Sequence, residues 1–201
     1  MADLSLPVHR RLALASSGRV TVRESVFCPA QTQSVATSTC RRCAHAHAVT
    51  RDLVLCAPPG PAPADGQAAP AASLASSQVA LVRHDVPAVA VLDLAEWTAQ
   101  PIVVVGERNR FLGFVSSGLR ALPQWPWMRS RHAVASDFAE GRPLFVLEAT
   151  PVITALRLMA RRGARWLALV DATGAVQGVL SDVAALAALA GGTPAASEEV
   201  P

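Results

Sequence analysis

The chain has 201 residues, 51% of them apolar and 16% charged, enough for one sizeable domain or two small ones around a real core. Its net charge is +3, but the arginines are scattered rather than gathered into a basic stripe with interleaved aromatics, so nucleic acid is not an expected partner. No run approaches the ~18–20 consecutive apolar residues that span a bilayer, and Pro7, His9, Arg10 and Arg11 break the N-terminal apolar stretch where a signal peptide would need it continuous. No membrane partner is expected, and the expected compartment is the cytoplasm.

Residues 1–20 read as a flexible N-terminus. Residues 21–56 hold all four cysteines, Cys28, Cys40, Cys43 and Cys56, and the next 145 residues hold none. In a reducing compartment clustered thiols point to metal or redox chemistry rather than to structural disulfides. Cys40-Arg-Arg-Cys43 is a C-x2-C pair, a spacing that lets two thiolates converge on one tetrahedral ion. Cys28 follows Val26-Phe27 and Cys56 follows Leu53-Val54-Leu55, so each stands at the end of a short strand. The pattern fits a small treble- or ribbon-like zinc site with four thiolate ligands, His45 and His47 being alternatives for one of them. A redox-active or disulfide pair, an iron–sulfur cluster and inert buried thiols are the competing readings. The segment has few large apolar residues, and one this short usually needs a metal or a disulfide in place of a core.

Residues 57–71 are rich in Pro, Ala and Gly and read as a linker. Beyond them lies an internal repeat, over 72–128 and 129–190, before a flexible tail at 191–201. Pro87 falls on Pro151 at an offset of 64, and one extra residue near Gly163 moves the offset to 65, which sets Gly113 on Gly178 and Ser116 on Ser181. Each copy begins with an apolar strand (Val79–Val82, Leu144–Leu147) and a proline suited to a first helical turn, with Thr150 as N-cap in the second copy. Val152, Ala155, Leu156 and Met159 recur at helical spacing, and Gly163 suits a left-handed C-terminal residue. Two strands around a tight turn follow, Trp166–Val170 and Ala175–Leu180 in the second copy, and then a helix from Ser116 or Ser181. The fold class is α/β (α+β), with two β-α-β-β-α units packed sheet to sheet about a pseudo-two-fold axis. A short helix is expected at Ser136-Asp137-Phe138, ahead of the second copy, and the Leu122–Met128 joint, with two tryptophans around a proline, reads as cover for the ends of the packed units, an exposed site for an unknown protein partner being the alternative.

The stretch RWLALVDATGAVQGVLSDVAAL, an apolar strand, an acidic-Gly turn and then Gly-Val-Leu-Ser, resembles the cystathionine-beta-synthase (CBS) domain, two of which in tandem form a Bateman module. The resemblance implies an antiparallel pair of small α/β units with two clefts that often take adenosine ligands, with Ser116, Ser181 and Asp182 as ligand-binding positions and a likeness to regulatory modules that form homodimers. The family's ribose-binding Asp three residues after the Ser is absent: Leu119 and Ala184 stand there, and neither can accept a hydrogen bond from a sugar. Asp182, one residue after Ser181, lies about 100° round the helix. Adenine-nucleotide binding is therefore doubtful in both clefts. No nucleophile–base pattern occurs, so no enzyme is expected. The function expected is a non-enzymatic sensor or dimerisation module with a structural zinc segment. The alternative is a zinc/thiol redox sensor in which the CBS pair only dimerises.

Overall fold

The repeat is realised twice in three dimensions, and the cysteine segment folds onto it. The computed structural model describes residues 4–57, 69–76, 78–97, 101–115, 133–139 and 144–190. The N-terminal part contains β1 (Leu4–Pro7), β2 (His9–Leu14), β3 (Val20–Cys28), β4 (Gln33–Ala36), the one-turn helix α1 (Thr37–Cys40), β5 (Ala46–Val49) and β6 (Leu53–Cys56). The first repeat contains β7 (Gln78–Arg83), α2 (Ala88–Trp97), β8 (Ile102–Val105) and β9 (Phe111–Val115). The second contains β10 (Phe145–Leu147), α3 (Val152–Arg162), β11 (Trp166–Val170), β12 (Val176–Ser181) and α4 (Asp182–Leu189). The helix expected from Ser116, the Leu122–Met128 joint, most of the linker and the tail from residue 191 lie outside the described residues.

The two offsets seen in the sequence govern the strand registers. In each unit the first strand pairs parallel with the second, and the second antiparallel with the third. Val104 faces Gly113 and Leu169 faces Gly178, and both hairpins slip register at the next residue, between Val104 and Val105 and between Leu169 and Val170. Even the hairpin turns correspond, since Asn109 (φ 61) and Gly174 (φ 81) both adopt the left-handed conformation at matching positions. Gly163 closes α3 with φ 62, as expected of a left-handed helix terminus. Thr150 does not cap α3. Pro151 takes the N-cap position without a side-chain bond, and the Thr150 carbonyl instead accepts the N–H of Ala71 at 2.8 Å.

That last bond belongs to an exchange between the units. The 3-10 turn Ala71–Leu74 precedes the first unit but docks on the second: Ala71 and Ala72 donate to the carbonyls of Thr150 and Glu148, and Val152 donates to Ala69. The 3-10 turn Ala135–Phe138 precedes the second unit but docks on the first through the equivalent bonds, Ala135 to Val86, Ser136 to His84 and Ala88 to Ala133. Residues 69–71, assigned to the linker from composition, are thus structural, and Ala71 is fully buried. At the pseudo-axis the two equivalent residues Arg110 and Ala175 bridge one another.

Each sheet separates two apolar layers. Val79, Leu81, Val103, Val105 and Phe114 of the first unit pack on Ala168, Val170, Val176 and Val179 of the second. On the outer faces Val82, Ile102, Val104 and Val115 meet α2, while Leu167, Leu169 and Leu180 meet α3, α4 and the Ala71 turn. Truncating a fully buried leucine such as Leu169 in such a layer costs about 2–5 kcal/mol.

Residues 4–14 are not the loose stretch expected from the broken apolar pattern. β1 pairs with β6, and β2 adds in parallel to β7, giving a six-stranded sheet in the order β4-β3-β2-β7-β8-β9. Pro7 ends β1, and His9, Arg11 and Ala13 alternate onto the face turned to the second unit, where Ala13 joins the inter-sheet core. His9 is 3% exposed, and its Nδ1–H donates to the Ser76 carbonyl at 3.3 Å. Burial, aided by the Arg11 charge, holds its pKa below the ordinary value of 6.5, against the pull of the Ser76 carbonyl. The folded state therefore resists a proton that the unfolded chain accepts. The contribution is complete above pH 6.5 and is lost as the pH falls through the lowered folded value. The thermal midpoint should drop between pH 7.5 and 5.5, and His9→Gln should shrink that drop; an equal drop in both proteins would contradict the assignment.

Candidate functional site

The four cysteines lie on four different pieces of backbone. β3 ends on Cys28, and a turn through Thr32 leads back into β4. α1 ends on Cys40, and a tight turn follows in which the Cys43 N–H donates to the Cys40 carbonyl at 3.0 Å and the Arg41 N–H to Thr37 at 3.1 Å. Cys43 in turn accepts from Ala46, which starts β5. Cys56 stands between Leu4 and Ala46 in the small sheet. Cys40 and Cys56 are buried in a small core with Val8, Val26 and Val54, while Cys28 and Cys43 are half-buried. None of the four is in a disulfide.

Burial pushes the Cys40 thiol above the usual range, and charge on Cys28, Cys43 and Cys56 pushes it further. A divalent cation would favour the thiolate, because a coordinating thiol is deprotonated outright. Among the described residues, no three or more His, Cys, Asp or Glu side chains stand in a metal-holding arrangement. His45 and His47 are both exposed.

Between this segment and the second unit lies a polar seam that the sequence analysis missed. Arg11 Nη1 donates to the Val176 carbonyl at 2.6 Å and to Gln177 Oε1 at 2.7 Å. Gln177 Nε2 donates to Asp171, whose carboxylate also accepts from Thr173 and Ala175. These bonds outweigh the opposing effect of burial and hold the Asp171 carboxyl below the ordinary carboxylate range. Ser34 on β4 donates to Glu148, which is buried. One sequence signal was available for this last contact. At the offset of 64, Glu148 falls on His84, so an acid appears where the repeat does not need one.

The Ser181 turn is built as the repeat implies. Ser181 Oγ accepts the Ala184 N–H at 3.0 Å and caps α4; the Asp182 N–H donates to the Arg165 carbonyl at 3.1 Å. The Asp182 carboxylate accepts the Val183 N–H at 2.8 Å, within its own helical turn. Ala184 packs against the core beneath α4, so the third position after the serine offers only a methyl group. Ser116 and Leu119 lie outside the described residues. Among the described residues no helix is long and apolar enough to cross a membrane.

Residues 135–191 match the family model of the CBS domain. Among curated proteins nothing matches. The fold is similar to the CBS domain of a bacterial CNNM/CorC family Mg2+ transporter solved in complex with ATP, with a TM-score of 0.53 at 16% identity, covering 63% of this chain and 91% of that one. Another structure of such a CBS domain gives 0.53 at 18% identity, covering 62% and 77%. The soluble part of a magnesium transporter gives 0.50 at 12%, covering 61% and 48%. The described residues between 69 and 190 share the fold of these CBS domain structures, and residues 135–191 match the family model of one CBS domain.

Proposed function

We propose that this chain is a non-enzymatic regulatory module, in which a CBS pair senses a small molecule or mediates dimerisation and a zinc segment built on Cys28, Cys40, Cys43 and Cys56 organises the N-terminal part. The observation that carries the reading is the repeat itself: two units of matched register that exchange their leading turns, one of them matching the CBS family model. CBS domains are regulatory rather than catalytic. For zinc, the support is the C-x2-C spacing of Cys40 and Cys43 and the burial of Cys40 with Cys56 in one small core. The half-buried Cys28 and Cys43 favour a second reading, a thiol redox sensor on a dimerising CBS scaffold, because an oxidant can reach them.

Dimerisation through the CBS pair is supported by the outer face of α4, where Val183 and Leu186 are 62% and 57% exposed. Light scattering at micromolar concentration should return twice the chain mass, and Val183→Asp with Leu186→Asp should halve it. A monomeric parent would remove this part of the reading.

The similar structure that holds ATP makes adenine nucleotides the first ligands to test. Ala184 cannot accept from ribose hydroxyls, and Asp182 is engaged by Val183. AMP, ADP and ATP are expected to bind weakly or not at all in calorimetry; a micromolar site would show that the missing acid is dispensable. A broader ligand screen by thermal shift identifies the true ligand through its linkage to stability.

The purified protein should contain about one zinc per chain, at sulfur–metal distances near ~2.3 Å. Cys40→Ser should release it and open residues 21–56 to protease, while the CBS pair stays folded on its own core. Full zinc content in a variant lacking both Cys40 and Cys43 would end the assignment. Under the redox reading, mild oxidant should instead lower the thiol titre of metal-free protein.

A further inference from the structure

Equivalent strands of the two units have different surroundings. In the first unit β2 runs parallel to β7 with Ala13 opposite Leu81, and Leu81 is 2% exposed. In the second unit the equivalent strand is β10, and at the offset of 64 Phe145 stands where Leu81 stands. Phe145 is 54% exposed, and so is Leu147. Among the described residues no strand pairs with β10 on the side away from β11. Leu144 and Val146 turn to the core beneath α3, so Phe145 and Leu147 share the inner face, where Phe145 meets Phe111 edge to face at 6.1 Å. The Leu144 carbonyl accepts from Ala168 and the Glu148 N–H donates to Val170. Alternate residues of a strand direct their backbone groups to opposite sides, so the N–H groups of Phe145 and Leu147 and the Phe145 carbonyl point to the open side. An edge of three residues is too short to recruit another sheet, but it suits a short extended segment.

The way β2 is held at β7 shows what such a segment needs. Arg11, two residues before Ala13 and on the same face, donates to the Val176 carbonyl and to Gln177, and Gln177 is tied to Asp171. At the offset of 65 these three positions become Phe111, Leu112 and Gly106. The amide and the carboxylate are gone. Leu112 is 39% exposed, and its side chain stands 3.4 Å from where a Cβ on Gly106 would lie. A guanidinium placed there finds no side-chain acceptor, and covering it uncompensated is costly. An apolar side chain placed there covers Phe111 and Leu112 instead. A second copy of the chain is a poor source of the segment, since its β7 edge is already covered by β2 and its β10 offers only three residues.

We propose that the β10 edge is a docking site for an extended segment of a partner protein, which adds parallel to β10 as β2 adds to β7 and carries an apolar side chain where β2 carries Arg11. Backbone bonds to Phe145 and Leu147 supply the affinity, and the Phe111–Leu112 surface supplies the selection. β2 does not compete for this place. Its tether keeps it at high local concentration beside β7, and Arg11 suits the Gln177 side only. The site stands whether or not the cysteines hold zinc and whether or not a small molecule binds the pair.

The test uses the full chain and two synthetic peptides copying Val8–Ser16, one with Arg11 kept and one with Arg11→Leu. Binding is read from the fluorescence anisotropy of the labelled peptides, and the place of binding from amide exchange. The Arg11→Leu peptide should bind about tenfold more tightly than its parent, the factor set by one guanidinium left without an acceptor. It should slow exchange at residues 145–147 and leave Gln78–Arg83 unchanged. Phe145→Ser in the protein should weaken this binding. Leu112→Gln with Gly106→Asp rebuilds beside β10 the pair that holds Arg11, and should reverse the preference between the peptides. Should exchange show that this double variant has lost β8 and β9, Leu112→Gln alone decides, and it should narrow the preference. No binding of the Arg11→Leu peptide, equal binding of both peptides, or exchange of β2 for the peptide at β7 would overturn the site. A chain that self-associates through β10 and is dispersed by the peptide would overturn the choice of partner.

Discussion

A three-stranded sheet with a helix on one face leaves its other face bare, and the architecture of this chain follows from covering that face. Neither repeat can do it alone. Val79, Leu81, Val103 and Phe114 on one side, and Ala168, Val170, Val176 and Val179 on the other, meet only if two units are turned about an axis between them. The exchanged 3-10 turns make the pairing obligatory, because each unit takes the turn that closes its first helix from the segment leading into the other. A unit separated from its partner would lose both its inner core and the hydrogen bonds at its helix start. The pair is therefore one cooperative body.

A pseudo-two-fold body has two equivalent flanks, and the N-terminal segment breaks the equivalence. It lies along β7, so the first sheet has six strands and the second has three. An unpaired strand edge invites unwanted association. At the β7 edge the invitation is taken up by β2 in parallel register from Arg10–Gln78 to Leu14–Val82. At the other flank β10 is only three residues long, with Phe145 set against Phe111 at 6.1 Å. A short strand limits what an edge can recruit, so the same problem is met by a cover on one flank and by brevity on the other.

The body was legible in the sequence because its cause is repetition. Pro87 and Pro151, Gly113 and Gly178 mark positions where the backbone itself is constrained, and a constraint imposed twice leaves the same residue twice. The N-terminal part was less legible. Arg10 and Arg11 read as interruptions of an apolar run, yet they occupy the two faces of β2: Arg10 turns outward to Glu24 and Asp52, and Arg11 inward to Gln177. An inward arginine is invisible to apolar periodicity, since what qualifies it for burial is a carbonyl and an amide about 165 residues away. The same holds for Ser34 and Glu148. The cysteines were read as ligands, with inert buried thiols as a competing reading; Cys40 and Cys56 are part of the little core that Val8, Val26 and Val54 form, so a segment short of large side chains uses thiols as apolar groups.

The seam differs in kind from the cores it separates. The inter-sheet layer is built mainly from aliphatic side chains and phenylalanine. The seam carries two arginine hydrogen bonds, a buried carboxylate with three donor contacts from one serine, and polar atoms of His9, Arg11 and Ser25 without a partner among the described residues. Apolar layers of the first kind lose stability in proportion to the area they expose, whatever the pH. Polar seams of the second kind depend on charge state and geometry, because an unpaired buried group costs as much as a good bond returns. His9 makes this seam sensitive to protons and Glu148 makes it sensitive to the position of one hairpin. Within a single chain, then, the part that joins the two units is apolar and insensitive to protonation, while the part that joins them to the N-terminal strands is polar and depends on it.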